Sequence, residues 1–140
     1  MEAKATWQSD MSFIGTADTG FEVRMDASET SGGHNSGFRP TELLAMGTAG
    51  CTGMDVISIL RKKRAEVKEL EVRVHVDQAE TYPHVFTKMQ IEYVVTGHNI
   101  KRADVERAVE LSKEKYCPCI AMFKQLMEID YIITIQEAEV

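Results

Sequence analysis

The sequence predicts an α+β fold, and three observations predict it. Runs of alternating apolar and polar residues come in pairs joined by short turns, which reads as hairpins. A long helical stretch from Arg39 to Arg64, "RPTELLAMGTAGCTGMDVISILRKKR", separates the two pairs. Two further helical segments then lead into one last alternating run. Strands grouped in hairpins with helices inserted between them argue against a doubly wound sheet. The predicted order is β-β-α-β-β-α-α-β in a single domain spanning 1–140, with the cysteine-bearing helix at its centre.

Each element follows from local pattern. Trp7, Met11 and Phe13 share one parity, with Gln8, Asp10 and Ser12 between them. "TADTG" is a turn, and "FEVRMD" alternates again through Phe21, Val23 and Met25, completing an N-terminal hairpin. "ASETSGGHNSGFR" is a long loop, and loops of this length in compact domains are usually functional or disordered. Pro40 suits the first turn of the central helix. "RKKR" suits its last turn, where cations meet the negative end of the helix dipole. Leu70, Val72, Val74 and Val76 alternate with polar residues, and so does the run Val85 to Val95; "AETYPH" joins the two strands. His75 falls among the polar positions and reads as a solvated strand residue. "NIKRADVERAVELSKEKY" is an amphipathic helix with Val105, Ala108, Val109 and Ser112 on one stripe. Pro118 opens a second short helix, since proline fits a first turn and not an interior. "IDYIITIQE" closes the chain as a strand.

Composition narrows the function classes. The 140 residues carry a net charge of −6, which argues against general binding to nucleic acid or an anionic membrane. No uninterrupted apolar run approaches the roughly 18–20 residues of a membrane span. "MEAKATWQSDM" lacks the apolar centre of a signal peptide. A cytoplasmic protein is expected. Its three cysteines, Cys51, Cys117 and Cys119, are too few for a disulfide framework in a reducing compartment. Cys117 and Cys119 are spaced more tightly than structural zinc ligands usually are, and no second pair exists. Neither a metal nor a cofactor is expected.

Gly47, Gly50 and Gly53 weaken the central helix by about 1 kcal/mol each relative to alanine. Ala45, Ala49 and Gly53 are spaced by four, so a second backbone can approach closely on that side. Two readings stand: close packing within the domain, or a helix pair across a homodimer interface. Either crossing leaves Cys51 among small neighbours, with Met46 and Met54 as candidate pocket lining or plain core. Cys117 precedes Pro118 and so falls at a helix N-cap, where backbone N–H groups favour a thiolate. Cys51 is mid-helix and needs a nearby cation to ionise. A buried thiol acting as a small hydrophobe is the alternative for all three.

"PTELLAMGTAGCTGMDV" around Cys51 and "KYCP" around Cys117 resemble the OsmC/Ohr family of osmotically inducible and organic-hydroperoxide-resistance proteins. The resemblance covers nearly the whole chain. It implies an intertwined homodimer of thiol-dependent peroxidases with sites at the interface. By position, Cys51 takes the role of the peroxide-attacking thiolate and Cys117 that of the resolving thiol. The implied substrates are organic hydroperoxides, with hydrogen peroxide a further candidate, and an external dithiol reductant completes the cycle. Cys119 has no matching role, and helical spacing from Cys117 points it elsewhere. The family's peroxidases carry a glutamate at the position of Thr41, whereas Glu42 here comes one residue later. At about 100° per residue, Glu42 faces away from Cys51 on a regular helix; its other role is to complement the dipole. The family's activating arginine lies in the hairpin turn, and "GTADTG" has none. Arg39 and, behind it, Arg24 are the substitutes. The rival reading is a non-enzymatic dimer of the same fold that binds a small apolar or acyl ligand. A purely structural homodimer is the third.

Overall fold

A computed structural model describes residues 1–139, which fall into two compact units: Met1–Leu44, and a second that begins at Ala45. In the first unit β1 (Ala3–Ser9), β2 (Ser12–Ala17) and β3 (Glu22–Met25) form an antiparallel sheet in that order. This corrects the expected two-stranded start. The run through Trp7, Met11 and Phe13 breaks at Asp10, whose φ of 48 lies in the left-handed region that Asp tolerates better than most residues. Trp7 Nε1 donates to the Asp10 carbonyl at 2.8 Å and closes the turn. The observed order is β-β-β-α-β-β-α-α-β.

The long loop after β3 is tied to one carboxylate. Asp26, 3% exposed, accepts the N–H groups of Ala27 (2.7 Å), His34 (3.0 Å) and Ser36 (3.1 Å), and the Ser36 hydroxyl at 2.7 Å. The Ser36 hydroxyl and these backbone donors hold its carboxyl well below the usual carboxylate range. Gly33 is required here, because a Cβ would lie 2.1 Å from the Ala27 carbonyl oxygen.

Helix α1 (Pro40–Lys62) begins in the first unit and runs into the second. Its buried residues, Thr48, Thr52, Val56 and Leu60, recur every fourth position. By length and composition α1 is also long and apolar enough to cross a membrane, with a mean hydropathy of 1.5, contrary to the expectation from uninterrupted runs. Its Val56 and Leu60 are fully buried in a protein core.

In the second unit β4 (Glu66–Gln78), β5 (Phe86–His98) and β6 (Glu128–Glu137) form a sheet in that order. β4 pairs antiparallel with β5, and β5 parallel with β6. Central β5 buries Met89, Ile91, Tyr93 and Val95 completely. A parallel pair needs a long crossover. Here it consists of α2 (Arg102–Leu111), one π turn (Ser112–Tyr116) and α3 (Pro118–Phe123). Val105 and Ala108 of α2 and Ile120 of α3 complete the core against Val56 and Leu60. Burying each of the valine, leucine and isoleucine side chains contributes about 1.5–3 kcal/mol.

Candidate active site

Helix α1 delivers Cys51, and the start of α3 delivers Cys117. Their Sγ atoms lie 3.1 Å apart, with Cys117 donating its S–H to Cys51. Cys117 is buried and Cys51 half-buried, and both are free thiols. One chain of buried hydroxyls fixes this approach. Thr52, next to Cys51, lies 2.7 Å from Ser112 Oγ and 2.8 Å from Tyr93 Oη. Ser112 Oγ donates to Asp55 Oδ2 at 2.8 Å. The carboxylate only accepts, so Ser112 spends its single proton there and must accept from Thr52. Thr52 in turn accepts from Tyr93, whose phenol burial keeps protonated. The Ser112 carbonyl then accepts the Cys117 N–H at 2.9 Å, the bond that makes the π turn. A single satisfied chain therefore joins the neighbour of Cys51 to the backbone of Cys117, and such networks rigidify what they connect.

The N-cap prediction for Cys117 holds in geometry and fails in charge. Cys117 caps α3, and its Sγ accepts the Ile120 N–H at 3.4 Å. Burial nevertheless pushes the thiol up to about 12, outweighing that donor. α3 has only 6 residues, so its dipole is small. Cys117 is protonated at rest, and the expectation of a resting thiolate there is corrected.

Cys119 is half-buried two residues further on, and burial followed by the charge of Cys51 raises its thiol. Cys117 has extended backbone (φ −84, ψ 108). The helix proper starts only after it, at Pro118.

The supporting candidates are placed as follows. In the first unit, the Arg39 guanidinium bonds the Asn35 side chain and the Asp26 carbonyl. It makes no ion pair among the described residues. Arg24 donates to Ser12 Oγ at 3.3 Å. Glu42 accepts the Arg39 backbone N–H at 2.8 Å, half of a capping box, so its carboxylate serves the helix start. In the second unit, Met46 and Met54 are exposed and line a groove of about 610 Å³ between α1 and β4, together with Gly50, Gly53, Leu70 and Val72. Cys51 does not line it. Among the described residues no group of three or more His, Cys, Asp or Glu is placed to hold a metal ion. Thr52, Tyr93 and Asp55 were not foreseen as site residues. The one signal for the network was Ser112, a hydroxyl on an otherwise apolar helical stripe.

The comparisons agree with this architecture. The family model described as OsmC-like protein matches residues 33–132. Protein YhfA of Escherichia coli K12 is 35% identical over 134 residues, covering 94% of this chain and 95% of that one. A hypothetical protein from Aquifex aeolicus VF5 has a solved structure that superposes with a TM-score of 0.85 at 30% identity, covering 99% and 97% of the two chains. The organic hydroperoxide resistance protein OsmC from Legionella pneumophila superposes with a TM-score of 0.69 over 95% of each chain. At 15% identity that last likeness concerns the fold alone. With its cysteine helix, its Cys-Pro helix and its sheet topology, this chain belongs to the OsmC-like family, the group that includes the OsmC and Ohr proteins.

Proposed function

We propose that this chain is a thiol peroxidase that reduces organic hydroperoxides, and hydrogen peroxide as a further substrate, in an oxidative stress response. The carrying observation is the 3.1 Å approach of the Cys51 and Cys117 sulfurs. The Cys51 thiolate attacks one peroxide oxygen, the O–O bond breaks, and the leaving alkoxide takes a proton to become an alcohol. Cys51 is then a sulfenic acid, which condenses with the Cys117 thiol to a disulfide and water. An external dithiol returns both thiols and is itself oxidised to a disulfide. Because the sulfurs are already adjacent, this step needs little backbone movement. Arg39, whose charge no carboxylate neutralises among the described residues, is the proposed activator of Cys51, ahead of Arg24. The name borne by the Legionella neighbour supports the substrate class.

The functional unit is a homodimer in the cytoplasm. The exposed face of α1 supports this: a Cβ at Gly47 or Gly50 would meet nothing within 4 Å, and Met46 and Met54 are bare beside them. The acidic balance of the chain supports partners other than nucleic acid or an anionic membrane.

Stopped-flow mixing of the reduced protein with cumene hydroperoxide tests the reading. Rapid loss of two thiols with release of the alcohol is expected, and no thiol loss sinks it. The open apolar groove beside Met46 and Met54 favours a second reading, a binder of a small apolar or acyl ligand. That reading requires Cys51→Ser to retain ligand while no peroxide is turned over.

A further inference from the structure

Resting on the peroxidase reading, we propose that Asp55 is a positioning residue for the resolving thiol: acting through Ser112, it fixes where Cys117 sits relative to Cys51. Three observations carry this. Cys51 and Asp55 lie four residues apart on α1, and residues at that spacing share one helix face. Asp55 Oδ2 accepts the Ser112 hydroxyl at 2.8 Å, and the carbonyl of the same serine accepts the Cys117 N–H at 2.9 Å. Lastly, Asp55 is the member of the chain that can only accept, so it sets the direction in which Tyr93, Thr52 and Ser112 pass their protons. One turn of α1 thus carries both the sulfur that is attacked and the oxygen that anchors its attacker.

This goes further than satisfying a buried hydroxyl. Any acceptor would satisfy Ser112, but placing it against Cys51 takes an acceptor on the helix that bears Cys51. The segment so anchored is the π turn Ser112–Tyr116, closed by the Cys117 N–H. A lone π turn is rare and occurs mostly where something outside it holds it. Here the Ser112 side chain on Asp55 does so. Among the described residues no buried side-chain nitrogen or oxygen lacks a partner. Without Asp55 the Ser112 hydroxyl would be the first, and the turn that delivers Cys117 would lose its register against α1. Resolution depends on that register, since a misplacement of about 1 Å can cost about a hundredfold in rate.

The test is the equilibrium of the thiol pair with glutathione. Cys51 and Cys117 are oxidised to a disulfide as one glutathione disulfide is reduced to two thiols, which take up the two protons released. Peptide mapping of the Cys51–Cys117 disulfide across a range of glutathione ratios gives the effective concentration of the pair in wild type, Asp55→Ala, Asp55→Asn and Val105→Ala. Val105 is fully buried on α2 outside the hydrogen-bonded chain, so its truncation loosens the core without cutting the link. Asp55 borders an open groove of about 440 Å³, so its truncation leaves no sealed cavity. Asp55→Ala is expected to lower the effective concentration by about tenfold or more. Asp55→Asn, whose amide oxygen still accepts from Ser112, is expected to restore most of it, and Val105→Ala to leave it unchanged. An Asp55→Ala value equal to wild type overturns the proposal. So does an Asp55→Asn value as low as that of Asp55→Ala, or an equal fall in Val105→Ala. If Asp55→Ala does not fold, Ser112→Ala cuts the same link from its other side, and a wild-type value there overturns the proposal in the same way. The measurement uses no peroxide. A wild type that fails to react with cumene hydroperoxide therefore defeats the peroxidase reading alone, and the glutathione equilibrium still decides the role of Asp55.

Discussion

At the scale of single residues, the state of Cys117 sets the pH behaviour of the site. Burial raises this thiol to about 12, and the ordinary value is 9.0. Resolution requires the thiolate, so its rate should climb with pH throughout the neutral and alkaline range. Rapid-mixing decay of the Cys51 sulfenic acid in Cys119→Ser checks this, and a plateau near neutrality would show that the helix terminus outweighs burial after all. Asp26 gives the opposite sign. Its folded carboxyl lies below the ordinary 3.8, so its contribution is full above that value and is lost as pH falls toward the folded one. The Ser36 and His34 amide resonances should therefore titrate with a midpoint below 3.8; a midpoint at 3.8 or above contradicts the four-donor arrangement. Ser112→Ala should cost about 1–3 kcal/mol, because Thr52 and Asp55 each lose a buried partner. It should also slow disulfide closure at Cys51, and urea denaturation with rapid-mixing kinetics reads both. Some of this was legible in the chain. Two cysteines with their flanking motifs marked the site, and a serine in an apolar stripe marked the network. The acidity of Cys117 was not legible, since a Cys-Pro pair announces a helix start but says nothing of how deeply it lies.

At the scale of elements, the same contrast separates pattern from geometry. The long strands β4 and β5 were visible as alternation, because one face of each meets a core and the other meets water. The break between β1 and β2 was not, since Asp10 turns the chain without glycine or proline and the apolar parity continues across it. Helix α1 shows most clearly what a single chain leaves unexplained. Gly53 has a local reason, as a Cβ there would come 3.3 Å from Val72 Cγ2. Gly47 and Gly50 have none within the chain, since their Cβ positions look onto open space. On an isolated helix face, Gly50→Ala should stabilise by about 1 kcal/mol through propensity alone. Where a second backbone packs against that face, the added methyl removes the gain and turns it into a loss. Thermal denaturation of Gly50→Ala is expected to show the loss. A rise in Tm would mean that the face is bare in solution.

At the scale of the whole molecule, the question is what covers the apolar surface that folding leaves out. Met54 is 73% exposed and Met46 48% exposed, on the same helix face as the two unexplained glycines. Monomeric proteins rarely leave a contiguous apolar patch of this kind open. A second copy of the chain is the occupant that suits it, because glycines on one helix match the close approach of an identical helix, and a twofold axis makes the face complementary to itself. The expected state is therefore a homodimer at micromolar concentration, measured by analytical ultracentrifugation. Gly50→Leu should weaken it, since overpacking a tight contact costs about 1–3 kcal/mol. Within the chain, a Cβ added at this position meets nothing within 4 Å, so the substitution is expected to leave the fold intact. Monomer must then appear in Gly50→Leu with its circular dichroism spectrum unchanged. A wild-type protein that sediments as a monomer defeats the proposal, and so does a Gly50→Leu variant that dimerises as tightly as wild type.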